Sequence, residues 1–102
     1  MNMSKIEVKI KTPDYIIKKA KPISNASQIY LNKKYIGKYM NLIPLTKIDD
    51  TDFIKEFDDY FEIKLEVNCI YRKEAKERGR GAYCYLPLEL AGEDILIFES
   101  PY

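Results

Sequence analysis

Histidine and tryptophan are absent from this chain, and glutamine occurs once, at Gln28. Without imidazole, nucleophilic triads lack their usual base and most zinc sites lack their usual ligand. No Cys-x-x-Cys pair, phosphate-binding glycine loop or dinucleotide fingerprint makes up the deficit. The adjacent carboxylates Asp49/Asp50 and Asp58/Asp59 come nearest to paired acids, and they read more simply as caps and solubilising residues around a short apolar segment. The expectation is a protein that is not an enzyme and uses no cofactor or metal.

Long apolar runs are missing too. Nothing approaches the roughly 18 residues that cross a bilayer, and the start, Met1-Asn2-Met3-Ser4-Lys5, lacks a signal-peptide core. An intracellular protein with no membrane partner is expected. Charge of one sign is scarce as well: 17 Lys and Arg face 16 Asp and Glu, a net charge of +1, so any basic binding face must be local. Cysteine is limited to Cys69 and Cys84. Without export signals two thiols read as small buried hydrophobes rather than a disulfide. The shortage of thermolabile amides beside abundant Lys, Ile, Glu and Tyr resembles proteins of hyperthermophiles, where intracellular disulfides are commoner, so both thiol states stay open.

What is present is a 46% hydrophobic content with nine Tyr and four Phe in 102 residues, enough for one folded domain. Sliding the chain against itself exposes a repeat. At a shift of 55 positions residues 6–44 lie on residues 61–99 without a gap. Eight positions are identical: Glu7/Glu62, Lys9/Lys64, Lys18/Lys73, Ala20/Ala75, Lys21/Lys76, Tyr30/Tyr85, Leu31/Leu86 and Gly37/Gly92. Roughly three identities would arise by chance at one arbitrary shift.

The apolar pattern repeats with the identities. Ile6-Glu7-Val8-Lys9-Ile10 and Phe61-Glu62-Ile63-Lys64-Leu65 alternate with period two, as half-buried strands require. Tyr15-Ile16-Ile17 and Ile70-Tyr71 predict second strands, and Ile29-Tyr30-Leu31 and Cys84-Tyr85-Leu86 third strands. Turn formers in Asn25-Ala26-Ser27 and Gly79-Arg80-Gly81 suggest that strands two and three form a hairpin. Asn32–Ile36 and Pro87–Ala91, closed by Gly37 and Gly92, predict one helical turn each. Tyr39–Ile43 and Ile95–Phe98 are apolar enough for closing strands buried on one or both faces.

Between the copies, residues 46–60 carry helical periodicity. Phe53, Ile54, Phe57 and Tyr60 share one face, and Asp49, Asp50, Thr51 and Asp52 stand ready as caps, so a short amphipathic helix is expected at about 52–59. The expected fold is α+β: two tandem copies of a strand, hairpin, helical turn and strand around a pseudo-two-fold axis, joined by that helix.

The segment Arg72–Arg80 holds all three arginines, beside Lys73 and Lys76, and its guanidinium forks suit carboxylate or phosphate. The plainer account is a solvated hairpin tip whose charges pair with one another. The matching stretch of the first copy has Pro22 and Ile23 where the second has Glu77 and Arg78, so the two tips are not equivalent. Tyr15, Tyr30, Tyr71, Tyr83 and Tyr85 fall on predicted strands, where rings either serve as ordinary strand residues or form a contact surface for bases or peptide. Candidate ligand contacts are therefore Arg72, Lys73, Lys76, Arg78, Arg80, Tyr30, Tyr83 and Tyr85.

Residues 76–97, a basic stretch leading into Tyr-Cys-Tyr-Leu-Pro, then Leu-Glu-Leu-Ala-Gly and a final strand, resemble the short β motif of AbrB/SpoVT-type regulators. Gln28–Leu42 matches more loosely, with Asn32 in place of the proline. Such regulators pair two chains, and a tandem copy would make that pairing within one; the resemblance implies DNA contact by Arg72, Lys73, Lys76, Arg78 and Arg80. Length, composition and tandem layout also resemble small orphan proteins of filamentous viruses of hyperthermophilic archaea, which would place the chain in the host cytoplasm. The functional expectation is a module, monomeric or homodimeric, that binds a protein or extended peptide in a groove between the copies. A DNA-binding regulator is the alternative.

Overall fold

A computed structural model describes residues 6–45 and 53–100. Eleven strands make up these residues: β1 (Ile6–Thr12), β2 (Ile16–Lys19), β3 (Lys21–Ile23), β4 (Ala26–Leu31), β5 (Tyr39–Pro44), β6 (Ile54–Glu56), β7 (Phe61–Val67), β8 (Tyr71–Glu74), β9 (Lys76–Arg78), β10 (Gly81–Pro87) and β11 (Asp94–Glu99). The helical elements that lie wholly within the described residues are two single 3₁₀ turns, Lys33–Tyr35 and Leu88–Leu90, and Leu45 is also in 3₁₀ conformation. All strand pairs are antiparallel, in sheets ordered β1-β7-β6, β2-β11-β5-β8 and β3-β4-β10-β9.

The fold is therefore all-β, which overturns the expected α+β class and its amphipathic helix at 52–59. Ile54–Glu56 is a strand paired on Phe61–Ile63, and a tight turn through Asp58 and Asp59 is closed by Phe57 N–H donating to Tyr60 O at 2.9 Å. Four apolar residues over two turns are too few to sustain a helix whose isolated length would be marginal. The same aromatic and β-branched side chains favour a strand, and the adjacent aspartates favour a turn. Phe53 and Ile54 reach the core from this hairpin, while the rings of Phe57 and Tyr60 stack at 4.9 Å. The proposed caps Asp49 to Asp52 lie outside the described residues.

The β2-β11-β5-β8 sheet is the middle of three layers. Met40, Leu42, Ile95 and Ile97 point to one side, where they pack with Ile29, Leu31, Cys84 and Leu86 of the β3-β4-β10-β9 sheet. Ile43, Leu96 and Phe98 point to the other, against Val8, Ile63, Leu65 and Val67. Strands buried on both faces need continuous apolar runs, which is what residues 95–98 supply, whereas the outer sheets keep the apolar and polar alternation.

Every element of residues 6–44 recurs 55 positions later, and the strand registers interchange with that shift. Leu31 lies opposite Ala82 and Ser27 opposite Leu86; Met40 faces Glu99 and Pro44 faces Ile95. The halves are interleaved, because β2 pairs with β11 and β8 with β5. Two of the repeat identities explain the crossing. The chain leaves the middle sheet for the outer one at Ala20 and Ala75, both buried. Gly92 N–H donates to Ala20 O at 2.8 Å and Gly37 N–H to Ala75 O at 2.7 Å, each glycine holding the left-handed φ of +87° or +83° that closes its 3₁₀ turn. Both alanines are almost wholly covered, so a larger side chain would have to displace its neighbours. Hairpin formation also departs from expectation: β4 and β10 pair with the short β3 and β9 beyond these alanines, not with β2 and β8.

Candidate functional site

The outer face of the β3-β4-β10-β9 sheet collects most of the candidate contacts. On β4 the inward residues are Ser27, Ile29 and Leu31, which leaves Gln28 and Tyr30 outward; on β10 Ala82, Cys84 and Leu86 point in, which leaves Tyr83 and Tyr85 outward. The register sets Tyr83 opposite Tyr30 and Tyr85 opposite Gln28, so the three rings and the amide form one patch across the junction of the halves. Tyr30 and Tyr85, 43% and 44% exposed, are among the exposed large hydrophobic residues. The ring of Tyr30 lies over Gly81, where a Cβ would stand 2.9 Å from Leu31 O. Glycine is required there because both the neighbouring backbone and the ring approach closely.

The edge strands bring charge to this patch. Lys76 lies opposite Tyr83, Arg78 opposite Gly81 and Lys21 opposite Gln28, so all three cations share the tyrosine face. Arg78 reaches across it, with Nη1 donating at 3.4 Å to both Gln28 Oε1 and Tyr85 Oη and the guanidinium 5.6 Å from the Tyr83 ring. Tyr83 and Tyr85 meet edge to face at 4.7 Å. Desolvation and its hydrogen bond with Tyr85 hold the Tyr83 phenol above its ordinary pKa, with Arg78 pulling it back, so the hydroxyl stays protonated. The ion pairs among the described residues, Lys19–Asp94, Lys34–Asp14 and Lys38–Glu99, all lie elsewhere. Beside the patch a cleft of about 440 Å³ draws on both halves: Ile23, Ser24, Asn25 and Ala26 from the first hairpin, Arg78 and Tyr85 from the second.

Of the residues expected to contact a ligand, the structure unites Tyr30, Tyr83, Tyr85, Lys76 and Arg78. Arg80 is exposed at the tip of the β9–β10 turn. Arg72 and Lys73 stand apart on β8 of the middle sheet: Arg72 Nε donates to Ser100 Oγ at 3.1 Å and its guanidinium stacks 4.7 Å from the Tyr39 ring. Sequence reasoning missed Gln28, Lys21 and Ile23; strand parity from Tyr30 would have found Gln28, and the Lys21/Lys76 identity marked the matching rim lysine. Both thiols are free, Cys69 half-buried and Cys84 buried beneath the tyrosines. Asp58 and Asp59 are exposed on the β6–β7 turn. A second cavity of about 260 Å³ has its charges already joined in the Lys34–Asp14 and Lys38–Glu99 pairs. No helix among the described residues is long and apolar enough to cross a membrane. No family model, curated protein or solved structure matches the chain.

Proposed function

We propose that this chain is a non-enzymatic interaction module that takes an extended, acidic protein segment across the outer face of the β3-β4-β10-β9 sheet, where the two halves meet. The observation that carries this reading is the Tyr30, Tyr83 and Tyr85 patch, rimmed by Lys21, Lys76 and Arg78, which no carboxylate pairs among the described residues. Tyrosine and arginine dominate binding hot spots because they offer wide contact area and forked donors at little entropic cost. The two ends of the patch differ chemically, since Ile23 occupies the place that Arg78 takes in the other half, and Gln28 that of Tyr83. A ligand with direction, such as a peptide, suits this better than a palindromic operator. We place the protein inside the cell, in host cytoplasm if its origin is viral.

The chain has no tryptophan, and three of its nine tyrosines form the patch, so contact there changes a sizeable share of the tyrosine emission. Titration with acidic, neutral and basic extended peptides should quench or shift that emission for the acidic one. Arg78→Ala and Tyr85→Ala should each weaken the binding about tenfold or more. Equal binding of all three peptides, or none, would overturn the proposal.

An AbrB-like DNA-binding regulator is the second reading, favoured by the interleaving of the halves and by Lys21, Lys76 and Arg78, which no carboxylate pairs among the described residues. Strong, steeply salt-dependent retention on duplex DNA would select it.

A further inference from the structure

The third sheet, β1-β7-β6, breaks the two-fold relation of the halves. β6 pairs with Phe61, Glu62 and Ile63 on the outer edge of β7. The equivalent edge on β1, at Ile6, Glu7 and Val8, pairs with nothing among the described residues. Lys64 N–H donates towards the β6 side, to Phe53 O at 2.8 Å, so even-numbered residues of β7 turn their backbone groups that way and odd-numbered ones bond β1. Through the register Ile10↔Ile63 and Val8↔Leu65, even-numbered residues of β1 are the ones bonded to β7. The N–H and C=O groups of Glu7, Lys9 and Lys11 therefore point out from the edge of the sheet.

We infer that this edge pairs with the same edge of a second copy, about a two-fold axis at Val8. Over Ile6–Ile10 the strand is self-complementary in that register: Glu7 falls opposite the partner's Lys9, Lys9 opposite the partner's Glu7, and Ile6 opposite the partner's Ile10. Glu7 and Lys9 carry the outward backbone groups, so each of their two pairs exchanges both hydrogen bonds, with Val8 against the partner's Val8 as the close, unbonded pair. Centring on Lys9 instead would set two lysines face to face.

Two further observations agree. Within the chain Glu7 lies opposite Glu66 and Lys9 opposite Lys64, like charges that the second copy would each supply with an opposite neighbour. Ile6, 43% exposed on the apolar face of the sheet, would be covered by the partner's Ile10. The result is one continuous sheet, β6-β7-β1 joined to its copy, on the opposite side of the middle layer from the tyrosine patch. The peptide site is left open.

Sedimentation equilibrium of the full chain over a range of concentrations tests this, with thermal melts confirming that each variant folds. Lys9→Glu sets acids against acids across the axis yet opposes Lys64 within the chain, so it should fold normally and dissociate on the order of tenfold more readily. The double variant Glu7→Lys with Lys9→Glu restores both opposite-charge pairs and should restore the dimer. Amide exchange at Glu7 and Lys9 should slow as wild-type concentration rises. A wild type that stays monomeric at millimolar concentration, a dimer indifferent to Lys9→Glu, or a double variant as weak as the single one would overturn the inference.

Discussion

Cys84 offers a measurement of how tightly the strand beneath the tyrosines is packed. Its side chain is 1% exposed, and burial pushes the thiol up to about 11 from the ordinary 9.0, with Lys73 pulling slightly the other way. In the unfolded chain the thiol ionises near pH 9, while the folded one keeps its proton to about 11. Between those values the unfolded state holds fewer protons, so stability falls as pH rises. The contribution is complete below pH 9 and is lost on the way to pH 11. At about pH 10 the unfolded thiol is roughly nine-tenths ionised and the folded one roughly one-tenth, a loss of about 1.4 kcal/mol. Tyrosines and lysines titrate in the same window, so the assay is a difference: urea melts of wild type and Cys84→Val, at about pH 8 and about pH 10. Valine suits a strand and nearly conserves volume, so its own cost should stay below about 1.5 kcal/mol. Its stability should fall between the two pH values by about 1.3 kcal/mol less than that of wild type. Parallel falls in the two proteins would refute the buried, neutral thiol.

Other outcomes follow from the backbone and the packing. Gly81→Ala should destabilise by about 1–3 kcal/mol, since its Cβ would meet Leu31 O at 2.9 Å; an unchanged denaturation midpoint would contradict that contact. Ser24 holds φ +46° at the position where the second half has Gly79 at φ +61°, so Ser24→Gly should stabilise by about 0.5–1 kcal/mol and Gly79→Ala destabilise by about 1 kcal/mol in chemical melts. Ala75→Ile, fully buried at the crossing between sheets, should cost about 3 kcal/mol or more and lower the melting temperature sharply. Lys19→Ala breaks an exposed pair with Asp94 and should change stability by under about 1 kcal/mol.

Much of this architecture is legible in the sequence. The period-two alternation of Ile6–Ile10 and Phe61–Leu65 found β1 and β7, and Gly37 and Gly92 marked the closing of the two 3₁₀ turns. Asn32 caps its turn through its side chain, Oδ1 accepting from Lys34 N–H at 2.9 Å; Pro87 makes no such bond and shares with Asn32 only the extended backbone that leads into the turn. The failures have physical causes. Spacing of Phe53, Ile54, Phe57 and Tyr60 fits a helix and a hairpin alike, and only pairing with β7, a non-local interaction, decides between them. Pro22 hid β3, because a proline in so short a run argues against a strand unless it lies on an edge, where β3 is. Nearness in sequence groups Arg72 and Lys73 with Arg78, but the buried Ala75 between them carries the chain from one sheet to the next.

The exchange of β2 and β8 between the halves has a consequence for how the molecule is made. Apart from the short hairpins, its ladders join residues that stand far apart along the chain, so most of the loop entropy is spent before the long-range contacts return it, and slow folding is expected. A nascent first half emerging alone would present bare edges on β1, β4 and β5, each awaiting a strand not yet synthesised. Severed between residues 45 and 53 and mixed, the two pieces should recover their shape only together, each serving as the template for the other.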